Sequence, residues 1–145
     1  MKQLLITLLT ALFLPLAAGA QQTQLAELAA HLQTDRISLR YDCTYTQDAP
    51  LRLTGTLLIQ GECYSARGNG MEIYCDGVTR WTVDPESKEV YIENAEGLEE
   101  LVAYRDSLSD LTLSDVRYLP LSEDLSGFRF NTSALGNDWV VTDLR

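Results

Sequence analysis

The stretch Tyr74-Cys75-Asp76-Gly77-Val78-Thr79-Arg80-Trp81-Thr82-Val83-Asp84-Pro85-Glu86-Ser87-Lys88-Glu89-Val90-Tyr91-Ile92-Glu93 decides how the chain folds. Asp76-Gly77 and Asp84-Pro85 are turn dipeptides, because Asp hydrogen-bonds its own backbone, Gly tolerates positive φ and Pro presets φ. They separate three short runs of alternating polar and apolar residues, the pattern of strands joined by tight turns. With Pro85–Lys88 as the second loop, Trp81, Val83, Val90 and Ile92 share one face and form an apolar wall. A sealed core and a lipid cavity are the two readings of that wall.

Upstream the period is also two. Ile37, Leu39, Tyr41, Cys43 and Tyr45 alternate with Ser38, Arg40, Asp42 and Thr44, giving a strand with one dry face. Gln47-Asp-Ala-Pro50 turns the chain into Leu51–Tyr64, whose Leu53, Leu57, Ile59 and Cys63 lie on one side. Gly70–Cys75, Thr79–Asp84 and Lys88–Glu93 follow, for five consecutive antiparallel strands. Helical spacing is confined to two places. Gln22–Gln33 carries Leu25, Leu28, Ala29 and Leu32 on one face with His31 flanking it, and a second stretch from Asn94 or Ala95 to about Leu108 carries Leu98, Leu101 and Val102. Leu111–Leu119 alternates weakly, Pro120–Gly127 reads as a loop, and Phe128-Arg-Phe130 and Trp139–Leu144 read as short closing strands. The expected fold is α+β: one domain in which a strongly curved antiparallel sheet, a half or incomplete β-barrel, is covered by helices.

Residues 1–20 are expected to lie outside that domain. Lys2, the apolar run Leu4–Leu16 and Ala18-Gly19-Ala20 form the three zones of a secretory signal, cleaved after Ala20. The expected location is the periplasm, and the expected domain is 21–145. Without Lys2, ten basic side chains stand against 21 acidic ones, a net charge of −11. Such a chain is a poor partner for nucleic acid and suits basic membrane-associated proteins.

Export permits disulfides, and the chain has three cysteines, Cys43, Cys63 and Cys75. A hairpin centred on Asn69 would set Cys63 opposite Cys75, a possible bridge that leaves Cys43 over. Acid–base chemistry would need paired carboxylates in a cleft. Asp76 and Asp84 are candidates, yet both stand where turns use Asp for backbone hydrogen bonds. Glu96, Glu99 and Glu100 lack the dense oxygen-ligand loop that a hard cation requires. Neither a catalytic constellation nor a metal set emerges, and the chain is read as a non-enzyme.

Gly55-Thr-Leu-Leu-Ile59, Asp76-Gly-Val-Thr-Arg-Trp81, Glu89-Val-Tyr-Ile92, Glu99-Glu100-Leu101, Phe128-Arg-Phe130 and Asp138-Trp-Val-Val-Thr-Asp-Leu-Arg145 occur in that order. Together they resemble the LolA-like outer-membrane lipoprotein carrier family, in the shape it takes in Bacteroidetes-type bacteria. The family usually has several more strands between its second helix and the Phe-x-Phe ending, so this would be a shortened variant. The resemblance implies a lidded, incompletely closed barrel that carries lipoprotein acyl chains or another lipid, acting as a chaperone for transport without cofactor or catalysis. The apolar cavity would be lined by Ile37, Leu39, Tyr41, Leu57, Ile59, Met71, Ile73, Trp81, Val83 and Leu101. Arg67 is the nearest candidate for the family's lid-closing arginine, and that role is not carried over. Too few strands remain to close a barrel, so two chains pairing their sheet edges as a homodimer is an expectation. The alternative is a structural or adaptor module that binds a protein through those edges.

Overall fold

The computed structural model describes residues 19–46, 48–95 and 108–145. Helix α1 (Gly19–His31) leads into a sheet of eight strands: β1 (Arg36–Tyr45), β2 (Leu51–Gln60), β3 (Cys63–Gly68), β4 (Met71–Cys75), β5 (Thr79–Asp84), β6 (Glu89–Asn94), β7 (Leu108–Leu119) and β8 (Val140–Asp143). The spatial order is β7-β1-β2-β3-β4-β5-β6-β8. All neighbours are antiparallel except β6 and β8, which run parallel. The sheet is therefore mixed, where the sequence pattern predicted an antiparallel one. It does not close into a barrel, since β7 and β8 each pair with one strand only among the described residues.

The meander has six strands where five were expected. Leu51–Tyr64 is broken at Gly61, whose φ of +58° allows a two-residue reversal before Cys63. Asn69 and Gly70 then turn β3 into β4, both at positive φ. That is the backbone an Asn-Gly hairpin turn requires.

Strand β7 explains its own weak alternation. Its half-buried and buried apolar residues Leu108, Leu111, Leu113, Val116 and Tyr118 are spaced three, two, three, two. Register slips opposite Asp42/Thr44 and Ser38/Arg40 each insert an extra residue into β7, beside Asp110 and Asp115 at positive φ. Two bulges thus return the apolar residues to one face.

The two faces of the sheet carry separate cores. On the first, Ile37, Leu39, Tyr41, Leu53, Leu57, Ile59, Ala66, Met71 and Ile73 form one cluster with Leu28 of α1. On the second, Tyr74, Val83, Val90 and Ile92 form another with Trp81, Phe130, Leu135 and Trp139. The first is called here the helix face. The second is the strap face, because the connection 120–139 must run from β7 at one edge to β8 beyond β6. Phe128-Arg-Phe130 belongs to this strap and is not a strand: Ser126–Phe128 is one 3-10 turn, with Phe128 fully buried against β3 and β4. Trp139–Leu144 does supply a strand, β8. The second predicted helix, with Leu98, Leu101 and Val102, lies outside the described residues.

Candidate functional site

Of the ten predicted lining residues, the structure brings seven together. Ile37, Leu39, Tyr41, Leu57, Ile59, Met71 and Ile73 are all buried on the helix face of β1–β4. Strand alternation puts them there, and the pairs Ile37–Ile59 and Leu39–Leu57 lock two of the rows across β1 and β2. Tyr41 reaches further than its neighbours. Its ring lies over Gly55 on β2 and Gly68 on β3, which are paired with each other. Burial pushes the Tyr41 phenol well above its ordinary pKa and the Cys43 thiol up to about 12.

Trp81 and Val83 are not part of this group. Ile73 pairs with Thr82, so on β5 the helix face carries Arg80 and Thr82 while Trp81 and Val83 point to the strap. The wall seen in the sequence is real, but it backs onto the strap, and its cover is Phe130, Leu135 and Trp139. Leu101 lies outside the described residues.

The helix face consequently changes character at β5. Arg80 has a side chain only 4% exposed and donates from Nη2 to Glu93 Oε2 at 3.0 Å across the β5–β6 pair. Thr82 is fully buried beside Ile73. Tyr64, opposite Cys75 on the same face, has its phenol pKa raised by burial. The burial of Arg80 and Thr82 had no signal in the sequence, where polar residues alternating with an apolar row carry no mark of a second covered face. Arg67 lies on the strap face, two-thirds exposed, and donates to the Tyr74 hydroxyl at 2.7 Å. It is remote from α1, as a lid latch could not be.

The strap face holds two clefts. One of about 490 Å³ is lined by Trp81, Glu123, Leu125, Arg129, Phe130 and Asn131, and one of about 310 Å³ by Ser38, Leu58, Ser65, Arg67, Tyr74 and Gly127. Polar groups in and around them are already engaged, some within the strap and some between strap and sheet. Arg129 Nε donates to Asp76 Oδ2 at 3.0 Å, Asn131 accepts from Ser133 N, and Asp124 accepts from Ser126 N. Arg36 donates to the Asp124 carbonyl at 2.8 Å and sits over the Phe128 ring. Gln60 exchanges hydrogen bonds with the backbone of Ser122 at 2.8 and 3.1 Å.

The two acidic candidates are turn residues. Asp76 accepts from the N–H of Val78 and Thr79, and Asp84 from those of Glu86 and Ser87. His31 pairs with Asp35 at 2.6 Å and stacks on Tyr118. Among the described residues no three His, Cys, Asp or Glu side chains converge as a metal site.

Cys63 and Cys75 are free thiols. The turn has two residues, so Tyr64, not Cys63, pairs with Cys75. The one-residue offset sends Cys63 and Cys75 to opposite faces, where no bridge can form.

No family model and no curated protein matches this chain.

Proposed function

We propose that the protein is a non-catalytic, carrier-like binding protein of the periplasm that holds lipid acyl chains against the helix face. The observation that carries this reading is the continuous apolar surface of Ile37, Leu39, Tyr41, Leu57, Ile59, Met71 and Ile73, over which one described helix packs. A displaced α1 would uncover this surface from its β1 and β7 side, with Arg80 and Glu93 at the far, polar end of the same face. Each acyl methylene buried there contributes about 0.8 kcal/mol. The ordered motifs that resemble the lipoprotein carriers support the same reading. The strongly acidic chain favours basic partners at the membrane for loading and release.

The test is titration of delipidated protein with a fluorescent fatty acid. Saturable binding that oleate displaces supports a carrier. Absence of binding at saturating ligand leaves the helix face a sealed core. Intrinsic fluorescence is the wrong readout, since Trp81 and Trp139 both belong to the strap-face cluster.

A second reading is an adaptor that engages a protein through a sheet edge. It rests on β8, which lacks a second neighbour among the described residues.

A further inference from the structure

We infer that β8 is the contact between two copies of this chain, paired antiparallel about Thr142 so that the two sheets become one.

The two edges of the sheet are built differently. Edge strand β7 carries two bulges and the charged side chains of Asp110, Asp115 and Arg117. These are devices that keep an edge from pairing. Edge strand β8 has no bulge and carries one charged side chain, Asp143, in its four residues. Its register with β6 is unbroken from Glu89–Val140 to Ile92–Asp143, and Val140 and Leu144 are 57% and 58% exposed.

The backbone fixes which pairings are allowed. Val140 N donates to Lys88 O at 2.9 Å and Leu144 N to Ile92 O at 2.8 Å, so the even-numbered residues bond toward β6. Val141 and Asp143 therefore direct N–H and C=O away from β6, to the side that has no strand among the described residues. In an antiparallel ladder, residues that exchange bonds must both point at the partner. Val141 can then face Val141 or Asp143 of a second copy, but not Thr142. Of these registers, the one with Val141 opposite Asp143 centres on Thr142 and sets Val140 against Leu144 twice, once on each side of the axis. The alternative centred on Val141 sets Leu144 against Asp138. The exposed apolar pair is thus self-complementary in one register only, as an isologous interface requires.

The self-complementary register makes a second copy the occupant, and charge does not oppose it. The chain carries a net −10, yet the β8 edge is locally neutral. Lys88 pairs with Asp138, and Arg145 pairs with Asp143. Two acidic molecules can meet here without opposing like charges.

The experiment is sedimentation equilibrium on the purified full chain. The expected result is a reversible dimer that tightens with added salt as long-range repulsion is screened. Val141→Pro deletes an outward N–H, a substitution an edge strand accepts on its open side, and yields a monomer. Leu144→Lys, at a surface position, weakens association roughly tenfold or more through two lost cross-strand pairs. Thr142→Cys cross-links under mild oxidation, because a non-hydrogen-bonded pair brings side chains closest, whereas Val141→Cys does not. A monomer mass at every concentration overturns the proposal and leaves the edge to another protein's strand. So does a dimer indifferent to both Val141→Pro and Leu144→Lys, or a cross-link at 141 in place of 142.

Discussion

Tyr41 and Gly55 are cross-strand partners on β1 and β2, and the phenol ring fills the space that a side chain on Gly55 would occupy. A Cβ built there would stand 2.6 Å from Tyr41 Cζ, and one on Gly68 would stand 2.7 Å from the Tyr41 hydroxyl. The two glycines are what let an aromatic ring lie flat on three strands. Gly55→Ala therefore forces the ring or the β3 backbone to move, at a cost of about 1–3 kcal/mol. Gly61 provides the contrast. Nothing lies within 4 Å of a Cβ there, and only its φ of +58° resists Ala, a penalty of about 1 kcal/mol. Urea unfolding midpoints of the two variants give the comparison, with Gly55→Ala the lower and spectral changes confined to a tyrosine.

The bulges of β7 make a second prediction. Asp110 and Asp115 hold φ of 54° and 50°, a region that Asp tolerates and β-branched residues do not. Asp115→Gly should be nearly neutral, since the Arg40–Asp115 pair at 3.4 Å is two-thirds exposed on both sides and worth little. Asp115→Val should destabilise by about 1–2 kcal/mol, read from thermal melts. Equal stability of the Gly and Val variants would show that the bulge does not need this backbone.

How legible was this fold? The alternation in Ile37–Tyr45 and the turn signals at Asn69-Gly70, Asp76-Gly77 and Asp84-Pro85 placed β1 and β4–β6 correctly. Gly61 was passed over because one glycine amid alternating residues reads equally as a twist point. Parity within a strand was also legible, but parity between strands was not. Whether Trp81 joins Ile73 depends on the register across Asp76–Val78, and Ile73 meets Thr82. The strap was hidden for a related reason. Phe128 and Phe130 alternate like strand residues, yet they pack onto a sheet face and not into a ladder. Seven of the ten candidate lining residues form one surface because β1, β2 up to Gln60, and β4 were read in the right phase. Cys63, expected beside Ile59, lies on the other face beyond the Gly61 turn.

The cysteines follow from the same register. All three thiols should titrate after denaturation without reductant, and the intact mass should show no loss of two protons. In the native protein Cys63 should react first with a maleimide. Cys43 and Cys75 are buried, and burial raises their pKa above the ordinary thiol range. A tryptic peptide joining Cys63 to Cys75 would contradict the pairing of Tyr64 with Cys75.

Acid should loosen the strap. Burial opposes ionisation of Asp76, but the N–H groups of Thr79 and Val78 and the Arg129 guanidinium outweigh it, and its pKa falls below the ordinary 3.8. A carboxylate depressed on folding stabilises fully above its unfolded pKa, and that contribution is lost as pH falls through the folded value. Wild-type stability should therefore decline below about pH 4. Asp76→Asn keeps an acceptor for the turn but removes the charge, so its stability should start lower and fall less steeply. Parallel slopes for the two proteins between pH 5 and 2 would remove Asp76 from the account, those limits being roughly where carboxylates titrate.

The most direct test of the carrier reading is the lipid content of the protein itself. Purified without detergent from the exported fraction of its host, extracted with solvent and analysed by mass spectrometry, the chain should yield acyl lipid in stoichiometric amount. Native mass spectrometry of the same sample should show the matching mass increment, lost on delipidation. A lipid-free extract, together with delipidated protein that fails to bind the fluorescent fatty acid, would contradict it. Ile37, Leu39, Tyr41, Leu57, Ile59, Met71 and Ile73 would then be an ordinary sealed core.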